Sequence, residues 1–238
     1  MCLREGDARL TAREAFVRAY RAWKQRASSG GEPAEADPDA VELLLLQSVA
    51  ETAQGQQKAR EVLSFEELDG IIRGDPTQSG VLDQLGEVER NRLLWELKQG
   101  CLTAVVNYLP PGERVAFILS EIMETEPGHA ASILGINASA LRVRVSRARK
   151  KVSAYLSPRC AHVDPRNPCR CPSRLGVALT RGFIGDVRGR QVSLRARPFE
   201  QEPPQHDPVA LFRTLPSPDP PADLAEELLR EMDAGIWD

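Results

Sequence analysis

Aromatic residues and histidines are scarce in this sequence. Aromatic residues make up 5% of the 238 residues, and the histidines are His129, His162 and His206. None of the three has a plausible acid–base partner in the sequence. The chain also has no glycine-rich phosphate loop, no nucleophile elbow and no HExxH motif. We therefore expect that this protein is not an enzyme.

Long apolar runs are also missing. The longest extends from Leu43 to Leu46, far below the ~20 residues that a membrane-spanning helix needs. The charged first residues contain no apolar segment of the length found in signal peptides. We expect a cytoplasmic protein without a membrane partner.

The residues that dominate the composition favour helices. Hydrophobic residues make up 42% and charged residues 27%, and alanine, leucine, arginine and glutamate are the most frequent types. The predicted fold is all-α: helical bundle domains with a C-terminal helix-turn-helix and an irregular extension rich in cysteine and proline. The net charge of −3 argues weakly against a nucleic-acid partner, but a local basic face can bind DNA on an acidic chain.

Apolar periodicity predicts helices along much of the chain, and these helices suggest four domains. It favours helices over residues 10–27, 38–49 and 88–108, with shorter pieces over 61–86. Three further helices with short joints follow over 111–156. Four domains are predicted: an N-terminal helical domain over residues 1–87, a DNA-binding domain over 88–157, a basic cysteine-containing extension over 158–197, and a proline-rich tether with an acidic helix over 198–238.

Residues 125–151 have the pattern of a helix-turn-helix. The first helix is short, and its apolar face lies between Ala130 and Leu134. Gly135 suits the left-handed position that ends such a helix, and Asn137 is a natural N-cap for the next one. In a helix-turn-helix the second helix enters the major groove of DNA.

The second helix of this unit is strongly basic. Its apolar face is formed by Leu141, Val145 and Ala148, and no acidic residue occurs between 137 and 153. Arginine binds guanine edges or phosphates, and short side chains near the helix start allow close approach to the bases. The alternative is a solvated basic face without a ligand. The succession of short helix, glycine turn, asparagine cap and basic helix favours DNA binding.

These residues resemble a known family. LPPGERVAFIL at 109–119, ASILGI at 131–136 and LRVRVSRARK at 141–150 are similar to region four of sigma-70 family factors, in the extracytoplasmic-function group. The resemblance implies a domain that binds the −35 promoter element and docks on the flap of the RNA polymerase β subunit. Promoter DNA and core RNA polymerase are the implied partners, and an anti-sigma factor is a further candidate.

The resemblance also assigns the DNA contacts by position. The residues implied to face the groove are Ser139, Ala140, Arg142, Val143, Ser146 and Arg147. Those implied to lie nearer the phosphate backbone are Arg144, Arg149 and Lys150.

Two parts of the sequence depart from the family pattern. The first helix has Glu126-Pro127-Gly128-His129 where the family has a capping serine and paired acids, so the usual phosphate contact at that helix start lacks its residues. Residues 1–90 lack the acidic lead-in and the tryptophan-containing melting segment of region two. Residues 15–23 resemble one piece of region two, or form an ordinary amphipathic helix. Residues 1–90 are therefore a diverged region two or an unrelated helical domain.

Three of the five cysteines follow the basic helix. Cys160, Cys169 and Cys171 lie within twelve residues of sequence together with His162, and three thiols with one imidazole are the ligands of a structural zinc site. The alternative is a proline-rich loop with free thiols, because the spacing is not that of a CxxC pair. Zinc is the one cofactor that the sequence suggests. Cys101 is interpreted as a core residue.

The C-terminal part combines prolines and acids. Residues 198–222 hold many prolines and are expected to be extended or disordered, and 222–237 are predicted to form a short acidic helix. Three roles are open for this helix: docking on a partner, masking the basic residues of 142–151 or 174–197, and packing on its own domain. Its predicted apolar stripe consists of Leu224, Leu228, Met232 and Ile236.

The sequence leaves two functions open. The first is a sigma-like transcription factor that directs RNA polymerase to promoters. The second is a sigma-derived regulator, a co-factor of the polymerase or an anti-activator, that binds DNA or polymerase and cannot initiate alone. Binding of residues 1–90 to the polymerase clamp would distinguish the first from the second.

Overall fold

The computed structural model describes residues 5–28, 38–58, 69, 84–180, 184–185, 198–215 and 223–237. Within these ranges the regular structure is helical, and no β-strand occurs. This confirms the predicted all-α fold. No helix in the described ranges is both long and apolar enough to cross a membrane.

The helices follow the predicted order. In the described ranges they are α1 (Glu5–Ser28), α2 (Pro38–Lys58), α3 (Glu87–Asn107), α4 (Pro111–Phe117), α5 (Pro127–Ile133), α6 (Ala138–Leu156), α7 (Leu175–Thr180), α8 (Ala210–Arg213) and α9 (Leu224–Asp233). One π-helical turn, Ile118–Ile122, continues α4. The first three helices are confirmed, and α2 extends further than predicted. The short pieces predicted over 61–86 lie mostly outside the described residues.

The N-terminal helices pack on each other and on the helix-turn-helix. Ala15 of α1 is fully buried, and such a small side chain lets α2 approach closely. Leu43 and Leu46 of α2 pack against the core formed by α4, α5 and α6. The side-chain amide of Gln47 donates a hydrogen bond to the carbonyl of Ser132 at 3.0 Å. The helix α2 thus supports the first helix of the helix-turn-helix.

The expectation of an extended segment after residue 198 is wrong for its first half. Val209, Leu211 and Phe212 are buried in one core with α3, α4 and α6. The Phe212 ring meets Phe117 edge-on, with ring centroids 5.2 Å apart. Apolar side chains between the prolines bury enough surface to hold this segment on the domain. The core therefore includes residues on both sides of the predicted boundaries after 157 and 197.

The acidic helix α9 packs on α1. Arg9 makes two hydrogen bonds to Asp223, at 3.0 and 2.9 Å, and Arg13 pairs with Glu231 at 2.7 Å. The indole of Trp237 lies 5.7 Å from the Tyr20 ring, centroid to centroid. Of the three roles open for α9, the structure displays packing on the protein's own first helix. Most of the basic segment 174–197 lies outside the described residues.

The apolar stripe of α9 ends earlier than predicted. Leu228 is buried, whereas Ile236 is 58% exposed and Trp237 only 3%. Gly235 adopts a left-handed conformation, with φ of 67°, just after the helix ends. This turn breaks the helical period, so Trp237 reaches α1 in place of Ile236.

Candidate nucleic-acid interface

The first helix of the helix-turn-helix has an acidic cap. A carboxylate oxygen of Glu126 accepts a hydrogen bond from the backbone N–H of His129 at 2.9 Å. Backbone hydrogen bonds from Gly128 and His129 lower the pKa of Glu126. A Cβ atom at Gly128 would lie 2.9 Å from the Glu126 carboxylate, so glycine leaves room for this cap. Glu126 therefore replaces the serine of the family pattern, and it places a negative charge at the helix start.

Replacing Glu126 with serine should raise DNA affinity about 2-fold to 5-fold at low salt, because one charge that repels phosphate is removed. Serine is a preferred N-cap, so the helix keeps its cap. Glu126→Asp is the matched control, since aspartate caps equally well and retains the charge. Fluorescence anisotropy across a salt series measures both variants. Equal affinities for the serine and aspartate variants would place this helix start away from the phosphates.

The turn between α5 and α6 has the predicted geometry. Gly135 adopts φ of 60°, the left-handed conformation that glycine accepts without strain. The Ile136 N–H donates to the carbonyl of Ala131 at 3.0 Å, which closes the end of α5. The side chain of Asn137 accepts from the N–H of Ala140 at 2.8 Å and caps α6. Both sequence signals of this turn are confirmed.

Helix α6 has one buried and one exposed face. Leu141, Ala148 and Val152 on the buried face are at most 2% exposed. The opposite face follows the helical period along its length. Its exposed residues, here called the outer face, are Ser139, Arg142, Val143, Ser146, Arg147 and Lys150.

The cations of the outer face remain available to a ligand. Among the described residues, no carboxylate forms an ion pair with Arg142, Arg147 or Lys150. All three side chains lie on one side of the helix within about three turns. The outer face thus combines cations, hydroxyls and one apolar side chain, a mixture suited to phosphates and base edges.

The other three predicted DNA contacts have different surroundings. Ala140 and Arg144 are half-buried, and Arg144 lies against Gly112 of α4. Arg149 pairs with the buried carboxylate of Glu121 at 2.9 Å. That pair orients Arg149 towards the π-helical turn. The DNA contacts assigned to all nine residues stay predictions.

Sequence reasoning missed the carboxylate of Glu121. It lies 28 residues before Arg149 and also pairs with Arg213 of α8 at 3.2 Å. No local spacing connects these three residues, because the contact arises only when α4, α6 and α8 pack together. Glu121 therefore links the helix-turn-helix to the C-terminal extension.

The cysteine loop lies directly after α6. Cys160 and Cys169 are paired by an isolated parallel bridge. The Cys171 thiol lies 3.6 Å from Nε2 of His162, and burial raises the pKa of that thiol well above its usual range. In the part of the chain that the structure describes, no three histidine, cysteine, aspartate or glutamate side chains already lie close enough to hold one metal ion. The structure thus joins the four predicted ligands in two pairs.

A buried ion pair beside this loop was not predicted. Nζ of Lys98 lies 2.6 Å from a carboxylate oxygen of Glu202, and both side chains are almost completely buried. The same carboxylate oxygen of Glu202 also lies 3.3 Å from Nδ1 of His162. Burial lowers the pKa of Lys98 and, together with the charge of Lys98, that of His162. The cluster joins α3, the cysteine loop and the extension.

Comparison with known proteins covers part of the chain. Residues 99–152 match the family model of Sigma-70, region 4. No curated protein and no solved structure matches the chain. The matched family is a transcription factor domain and not an enzyme family. Its range extends from the second half of α3 to near the end of α6, and so includes the whole helix-turn-helix. Residues 99–152 are thus similar to a sigma-70 region 4 domain.

Proposed function

We propose that this protein is a sigma-like transcription factor that binds a −35-type promoter element and associates with core RNA polymerase to direct initiation. A sigma-70 region 4 domain implies promoter binding and polymerase association. The observation that supports the proposal most directly is the outer face of α6. Its three cations, which have no carboxylate partner in the described ranges, lie on a helix capped by Asn137. A recognition helix uses exposed side chains of this kind to contact base edges and phosphates.

In this proposal, residues of the outer face contact different parts of the DNA according to their position along α6. Ser139, Arg142 and Val143, near the N-terminal end of α6, contact base edges, since that end of a recognition helix enters the groove. Arg147 follows one turn later, within reach of a base edge or a phosphate, and Lys150 follows a further turn on, where phosphates are within reach of its long side chain. Arg149 acts from the side, because Glu121 holds it at the edge of the face.

The second candidate is a regulator that cannot initiate alone. The observation that favours it is the packing of α9 on α1, in which Arg9 pairs with Asp223 and Arg13 pairs with Glu231. If α1 were a clamp-binding helix, this face would be closed to polymerase in the free protein. An anti-sigma factor, or another protein that displaces α9, would be the partner in that case.

Run-off transcription with purified core RNA polymerase and a library of promoter fragments tests both candidates. We expect specific transcripts that require this protein. The Arg142→Ala variant, with the same polymerase, should lose those transcripts. If no fragment gave transcripts while the protein still bound the polymerase flap or DNA, the protein would be a regulator and not an initiation factor.

A further inference from the structure

The cysteine loop places two candidate metal ligands, Cys160 and Cys169, side by side. The carbonyl of Cys169 accepts from the N–H of Ala161, and the Cys169 N–H donates to the carbonyl of Arg159, both at 3.0 Å. Cys160 therefore stands opposite Cys169 on the neighbouring segment. Residues opposite each other in a bridge project to the same side, with backbones about 4.8 Å apart. The two thiols consequently leave the bridge in the same direction.

A second pair of donors lies two residues further along each segment. His162 follows Cys160, Cys171 follows Cys169, and Nε2 of His162 lies 3.6 Å from Sγ of Cys171. In a tetrahedral zinc site, with bonds of about 2.3 Å to sulfur and about 2.0 Å to nitrogen, two such ligands stand about 3.5 Å apart. The 3.6 Å spacing of this pair is compatible with two ligands of one zinc ion, and it is also the distance of a thiol–imidazole hydrogen bond.

The other nitrogen of the His162 ring is held by a carboxylate. Nδ1 lies 3.3 Å from a carboxylate oxygen of the buried Glu202 side chain. Nζ of Lys98 binds the same carboxylate and also donates a hydrogen bond to the Thr214 hydroxyl, and these contacts fix the position of Glu202. With its proton on Nδ1 facing Glu202, the ring presents the lone pair of Nε2 to Cys171. A carboxylate behind the ring is the usual support of a histidine that binds a metal.

The backbone of the loop is fixed around these donors. The side-chain amide of Asn167 donates to the carbonyl of Ser157 at 2.7 Å and to that of Cys160 at 3.0 Å. The segment that returns to Cys169 is therefore clamped to the end of α6. Among the described residues no three of these side chains lie close enough to hold one metal ion. A four-ligand site therefore requires Cys160 and Cys169 to move towards the pair formed by His162 and Cys171.

We propose that Cys160, His162, Cys169 and Cys171 bind one structural zinc ion, with Glu202 as the positioning residue for His162. The register of the bridge explains the unusual spacing, because a Cys-x-His segment lies beside a Cys-x-Cys segment. Three thiols release their protons on binding, and three thiolates with one imidazole form a closed site. The ion connects the end of α6 to the extension through His162 and Glu202.

Zinc content of the full-length protein is the direct test. The protein is reduced, loaded with zinc and passed through a weak chelating resin, and metal is then measured per chain. We expect one zinc ion per chain in the parent and in the Cys2→Ser control, and less than about one tenth in Cys171→Ser. Retention of one zinc ion by Cys171→Ser would overturn the proposal, as would a parent protein that retains none.

Two measurements on folded protein guard against a variant that does not fold. Cobalt added to the reduced parent should give the visible absorption of tetrahedral thiolate coordination, and zinc should displace it. Glu202→Gln should bind zinc about 10-fold to 100-fold more weakly in competition with a chelator, while retaining its helical circular dichroism. A parent in which Cys160 and Cys169 form a disulfide, and which shows no cobalt spectrum after reduction, would contradict the proposal.

Discussion

Replacing Phe212 with alanine should lower the free energy of unfolding by about 3–5 kcal/mol. The side chain is 3% exposed, and its ring packs edge-on against Phe117 in the core beneath α6. Removing the ring leaves a cavity whose helical walls relax only in part. Denaturant titration followed by circular dichroism gives the change.

Leu229→Ala is the matched control for this prediction. Leu229 lies on α9 and is 55% exposed, so its loss should change the free energy of unfolding by less than about 0.5 kcal/mol. A Phe212→Ala protein as stable as the Leu229→Ala protein would mean that the extension does not share the core of the DNA-binding domain.

If Arg147 reads a base, replacing it with alanine should weaken specific DNA binding by about 1–3 kcal/mol, roughly 5-fold to 150-fold. Arg147 lies on the outer face of α6 and is exposed, with no carboxylate partner among the described residues. A loss of sequence preference would indicate contact with a base, whereas a uniform loss with a smaller salt slope would indicate a phosphate contact. Anisotropy with a selected promoter fragment and a scrambled one distinguishes the two.

Arg166→Ala is the control for the DNA experiment. Its side chain is 90% exposed and pairs with Asp164 in the cysteine loop, off the outer face. It removes the same charge from the protein and should leave affinity within about 2-fold. If Arg147→Ala and Arg166→Ala bound both fragments equally well, the DNA-binding face would have to be sought elsewhere.

Local sequence signals predicted the helix-turn-helix well. Gly135 and Asn137 act through their own backbone geometry and nearest neighbours, so their roles are visible in a short stretch of sequence. The same holds for the alternation of buried Leu141 and exposed Arg142. The outline of the outer face therefore follows from the helical period of residues 138–150.

Contacts between distant segments were not predictable in this way. Proline frequency suggested an extended tether after residue 198, but the burial of Val209 and Phe212 outweighs that tendency. The pairing of Arg149 with Glu121 depends on the packing of three helices. Likewise, no spacing rule predicts that Lys98 meets Glu202 across 104 residues of chain. Each of these contacts depends on tertiary structure that a sequence window does not contain.

The contact between α1 and α9 has a consequence for the newly made protein. Arg9 and Asp223 are 214 residues apart in sequence. At a synthesis rate of 5–20 residues per second, the ribosome needs about 10–40 s to reach Asp223 after Arg9. During that interval α9 is not yet available to pair with Arg9 and Arg13. The pairing of α1 with α9 therefore forms only after the whole helix-turn-helix has been synthesised.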